Sequence, residues 1–143
     1  MATLLRVREG VRDECRLQLT EAQRAEDIIL ARISEIDEEL DGLRVHTQRA
    51  SGPGLVNVDR LLDAGRFEMI LKAEKIAAEE QRKTVAAEVE RRRQLLVEAD
   101  REVKVLEKLR EQQSTRHRLE EGKRETKQLD ATALQLAGSK EQD

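Results

Sequence analysis

In 143 residues the chain has one strongly punctuated segment, Ala50-Ser51-Gly52-Pro53-Gly54. The two glycines tolerate positive φ, and Pro53 removes a backbone donor and restricts the residue before it. A helix arriving there has to stop. Asn57 then offers a good N-cap, Asp59 a first-turn carboxylate, and Val56 a staple onto Leu61, so a second helix starts at once. Gly10, Gly42, Gly65 and Gly122 lie within helical patterns and have no proline partner, each costing about 1 kcal/mol against alanine. Gly138 reads as a C-terminal cap and 139–143 as a frayed tail. The expected organisation is a single coiled-coil hairpin over 1–138, with helix 3–49, turn 50–57 and helix 58–137.

The apolar pattern fits this division. In the first helix Cys15, Ala22, Ile29, Ile36 and Leu43 recur at steps of seven, and Leu19, Ile33 and Leu40 form a companion row. In the second, Leu71, Ala78, Val85, Arg92, Ala99 and Leu106 recur at sevens, accompanied by Val89, Leu96 and Val103. Two such seams joined by a short loop predict an all-α, antiparallel two-helix coiled-coil hairpin whose second helix is the longer. Composition argues the same way. Phe67 is the only aromatic and charged residues are 40% of the chain, too little bulky apolar area for a compact globule.

Geometry adds a consequence. At 1.5 Å per residue the first helix is a rod of roughly 70 Å and the second one of roughly 120 Å. Folded back at the turn, the first helix is used up by about residue 104 of the second. The remainder, to Ala137, has no intramolecular partner. Between Arg110 and Gln128 its only large apolar residue is Leu119. A polar single helix is marginal in water, so this overhang either frays or is held by another protein.

Several functions are excluded by what is missing. The longest apolar run is Ile28-Ile29-Leu30-Ala31, far short of the roughly 20 residues that span a bilayer. Arg6 interrupts any secretory core at the N-terminus. One cysteine, Cys15, makes no internal disulfide and fits a reducing compartment. A soluble, cytosolic chain is expected. Gly52-Pro53-Gly54 is not followed by the Gly-Lys-Ser/Thr of a phosphate loop. His46 and His117 lie on different helices without metal-ligand companions. Carboxylate pairs such as Glu38–Glu39 and Glu79–Glu80 have no concave pocket in which to act as acid and base. No enzyme, cofactor or metal is expected.

The remaining signal is charge. The chain carries 27 basic and 30 acidic residues, a net −3. Residues 91–128 nevertheless carry 12 basic and 8 acidic groups, beginning with Arg91-Arg92-Arg93 and including Arg116, Arg118, Lys123, Arg124 and Lys127. This stretch is either a solvated helix laced with i,i+4 pairs or a surface that docks on an acidic protein. A nucleic-acid partner is disfavoured, because glutamates are interspersed and no aromatic is present for stacking.

The run Leu106-Glu107-Lys108-Leu109-Arg110-Glu111, then Arg116 to Arg118, Glu120-Glu121, Arg124-Glu125 and Lys127-Gln128-Leu129-Asp130, resembles the C-terminal signature of the flagellar export protein FliJ family. The start, Leu4-Leu5-Arg6-Val7-Arg8-Glu9, is similar to that family's N-terminal pattern. Ser114–Thr115, His117 and Gly122 depart from it and weaken the local helix.

The resemblance implies a stalk-like component of the bacterial flagellar type III export apparatus, akin to the central stalk of rotary ATPases. Its partners would be the export ATPase FliI, the export-gate protein FlhA and export chaperones, with weak self-association besides. Its place would be cytoplasmic, peripheral at the inner-membrane export apparatus. On this resemblance Lys108, Leu109, Arg110, Arg118, Leu119, Arg124, Lys127 and Leu129 are expected to contact the ATPase. Ile36, Leu40, Leu43, Phe67 and Leu71, near the turn, are expected to face the gate. The alternatives are an injectisome stalk protein and a generic coiled-coil scaffold. The scaffold predicts heptads sustained to the C-terminus, and they fade after Leu106.

Overall fold

A computed structural model describes residues 2–50 and 57–141 of the chain. Residues 51–56 of the turn expected at 50–57, with the last two residues, lie outside the described residues. Helix α1 spans Ala2–Ala50 and helix α2 spans Val58–Glu141, 49 and 84 residues respectively. There is no strand among the described residues. The start of α2 follows the sequence. The Asn57 side-chain oxygen accepts the backbone N–H groups of Asp59 and Arg60 at 3.1 and 3.4 Å, satisfying donors a helix N-terminus leaves orphaned.

The end of α2 differs from the expectation. Gly138 keeps a right-handed backbone and does not cap the helix, which runs on to Glu141. The Ser139 hydroxyl donates to the carbonyl of Leu136 at 3.0 Å, supporting the last turn.

The chain forms two compact units, one of Arg12–Glu98 and one of Met1–Val11 with Ala99–Asp143. In the first unit the two helices run antiparallel. Arg32 pairs with Glu74 at 2.8 Å and Lys75 with Asp37 at 2.6 Å. Farther from the turn, Arg92 donates to the backbone carbonyl of Gln18 at 2.6 Å. Partner numbers therefore fall along α1 as they rise along α2. Beneath these contacts Ile36, Leu40 and Leu71 form a buried cluster on which Leu43 packs. Ile36 is wholly buried and Leu71 is 2% exposed. Ala22, Ala78 and Val89 continue the buried row. These are seam positions at steps of three and four, the spacing that keeps one helix face on its partner.

Arg92 occupies a seam position where the period calls for an apolar side chain. It is tolerated because its donors are used: Nε donates to Glu88 at 2.8 Å while Nη1 reaches Gln18. Glu88 is bracketed by Arg91 and Arg92, whose hydrogen bonds and positive charge hold its carboxyl at about 2, below the usual 4.5. A carboxyl depressed in the folded state adds stability above its unfolded pKa that is lost as pH falls through the folded one. Thermal melts should accordingly show wild type losing its advantage over Glu88→Gln between pH 4.5 and about 2. A constant difference across that window would contradict the bracket.

In the second unit Leu5, Ala99 and Val103 are buried. Arg8 and Glu102 bridge the helices at 2.7 Å. Leu106 is the last half-buried residue of α2. From Glu107 to Glu141 every residue is exposed.

Candidate functional site

The exposed segment 107–141 is the feature that the seam does not account for. All eight residues expected to contact the ATPase lie on it and all are exposed: Lys108, Leu109, Arg110, Arg118, Leu119, Arg124, Lys127 and Leu129. At 3.6 residues per turn they do not share one face. Arg110 and Arg124 continue the line of Ala99 and Val103, the side turned to α1. His117 and Glu121, joined at 3.2 Å, lie on the same line. Arg110 and Arg118 belong to a mixed groove with Leu5, Glu9, Glu107 and Glu111.

Lys108 and Leu119 point the opposite way, while Lys127 stands between the two sides. Gln112, Thr115, Lys123 and Thr126 complete that outer face at steps of three and four, and Arg116 lies on its flank. Leu119 is 63% exposed at its centre. A shallow groove beside it is lined by Arg118, Leu119, Gly122, Lys123, Thr126 and Lys127. Gly122 has open space where a Cβ would stand, so nothing within the chain requires a glycine there. Alanine would favour the helix by about 1 kcal/mol.

The five residues expected to face a gate separate in a different way. Ile36, Leu40 and Leu71 are the buried cluster of the seam and Leu43 packs on it. Their side chains are engaged in holding α1 to α2. Phe67 is not so engaged. It sits beside the seam, four residues before Leu71, and is 48% exposed. Period-seven reasoning about a single seam also misses a separate apolar row on the far side of α2. Leu62, Met69 and Ile76 recur at steps of seven on the side of α2 away from α1, and each is more than half exposed, Met69 by 73%. Ile70 lies between Phe67 and this row and is likewise exposed. The signal is present in the sequence as a second row of sevens, offset by two positions from the Leu71–Ala78 row.

No group of three His, Cys, Asp or Glu suited to a metal ion occurs among the described residues. Cys15 is half-buried on the seam side of α1. No described helix is long and apolar enough to cross a membrane.

Fold and exposed surfaces together define a class: a two-helix coiled-coil hairpin with an extended second helix whose terminal segment presents charge and isolated leucines to solvent. The chain matches the family described as flagellar FliJ protein over residues 1–142. It belongs to that family and so, in general terms, to the proteins of flagellar export. Neither a curated protein nor a solved structure matches it.

Proposed function

We propose that the chain is the stalk-like component of the flagellar type III export apparatus that links the ring of the export ATPase FliI to the export gate FlhA and assists delivery of subunits by their chaperones. The observation that carries this reading is the segment 107–141, exposed along its whole length. An 84-residue helix needs tertiary burial to be stable, and its segment 107–141 has none within the chain. A ring that encloses this segment would supply the missing partner. The chain itself has no catalytic role in this reading. It works by contact, at the cytoplasmic face of the inner membrane.

The gate contact is assigned to the exposed Phe67, since Ile36, Leu40 and Leu71 would be reached only by parting the helices. A half-exposed aromatic with the exposed Ile70 one turn on is a surface that another protein can cover with gain. Phe67→Ala should weaken binding of the purified cytoplasmic domain of FlhA while leaving FliI binding and the thermal melt near wild type. Equal loss of both partners, with a lowered melt, would instead show that Phe67 supports the seam.

A further inference from the structure

We propose that segment 107–141 docks by one face of its 108–126 stretch, the outer one bearing Lys108, Arg116, Leu119 and Lys123, onto an acidic protein surface, with Gly122 as a notch that lets the partner approach. This rests on the reading of the segment as the part a partner grips, and adds which side is gripped and by what chemistry.

The first support is the segregation of charge around the helix. Glu107, Glu111, Glu121 and Glu125 recur on a face about a third of a turn from the line of Lys108, Leu119 and Lys123. Arg110 and Arg118 lie among those carboxylates and balance part of their charge. The outer face has no carboxylate along its centre from Lys108 to Thr126, where Asp130 one turn on ends the stretch; Glu120 and Lys127 stand at its margin.

The second is pairing. Upstream, several cations on α2 are matched by carboxylates three or four residues earlier, Lys72 with Glu68, Lys83 with Glu80, Arg91 and Arg92 with Glu88, Arg93 with Glu90 and Lys104 with Asp100, while Arg60, Arg66, Arg82 and Arg101 are not. From Lys108 to Lys127 no Lys or Arg among the described residues has a carboxylate oxygen within 4.0 Å, Arg110, Arg118 and Arg124 included, so what sets the outer face apart is that its cations have no carboxylates beside them along its centre. A row of unmatched cations around an exposed leucine is complementary to a carboxylate-bearing surface with an apolar centre. Nucleic acid fits less well, because Leu119 holds the middle of the row and no aromatic accompanies it.

The third is Gly122. It sits at the edge of this face beside Leu119, in a helix that gains nothing from it, with open space above its Cα. A partner seated on the outer face would come closest to the backbone there.

The test compares two double variants of the full chain with equal charge change. Arg116→Glu/Lys123→Glu reverses the outer face and Arg110→Glu/Arg124→Glu the side turned to α1. Binding is measured to purified FliI, to a glutamate-rich amphipathic helical peptide and to a 20-base-pair DNA duplex, at two salt concentrations. The outer-face variant should lose about tenfold or more in affinity for FliI and for the peptide, the other variant much less, and the wild-type contact should weaken with salt. Gly122→Leu should raise helix content yet weaken FliI binding. Equal loss in both double variants overturns the proposal while leaving the functional reading in place. Tighter binding of the duplex than of the peptide overturns it too. If wild type fails to bind FliI, the functional reading falls, and the outer face is then decided by the peptide alone.

Discussion

Leu71→Ala lowers the stability of the hairpin by about 2–5 kcal/mol, the range for removing a buried leucine from a packed core. Leu71 is 2% exposed and closes the cluster with Ile36 and Leu40, so the alanine leaves a cavity that two long helices cannot easily collapse. For a chain of this size the midpoint of the thermal melt falls by roughly 10 °C. Met69→Ala, two residues away on the exposed side of α2, changes the stability by no more than about 0.5 kcal/mol. The pair of variants reads out which side of α2 faces α1. Similar losses at both positions would contradict the seam assignment.

Truncation after Leu106 has the largest expected effect on function and the smallest on stability. The removed residues 107–143 include no buried side chain among those described, so the melt of the remaining hairpin stays within a few degrees of wild type. Stimulation of FliI ring assembly is expected to be lost, because the charged face and the leucines at 109, 119 and 129 go with the segment. Retained stimulation by the truncated chain would make the segment a passive tail. A collapsed melt would show that it stabilises the hairpin by contacts the exposed side chains do not suggest.

The architecture is legible in the sequence because its determinants are local and periodic. Asn57 caps α2 where the pattern restarts after Pro53, and the two rows of sevens are the positions found buried or half-buried. The overhang is legible too, from the unequal lengths of the helices. Gly138 misleads because a glycine near a chain end looks the same in sequence whether it turns left-handed or stays helical. Arg92 falls into an apolar row with no hint of its role, since the carbonyl of Gln18 becomes its acceptor only after the helices are in register. The residues expected to face a gate show the sharper limit. Phe67 falls at seam spacing from Leu71, so only burial separates it from Ile36, Leu40 and Leu71.

The central claim is that the exposed end of α2 is ordered and covered by the export ATPase. Backbone hydrogen exchange of the full chain, alone and in complex with FliI, addresses it most directly, since protection reports local opening segment by segment. Alone, amides around Ile36, Leu40, Leu71 and Val89 should exchange slowly and those of 107–141 fast. With FliI bound, the account predicts new protection concentrated in 107–141 and little change around the buried cluster. Fast exchange throughout 107–141 in the complex, with new protection confined to 58–76 or to the seam, would contradict it.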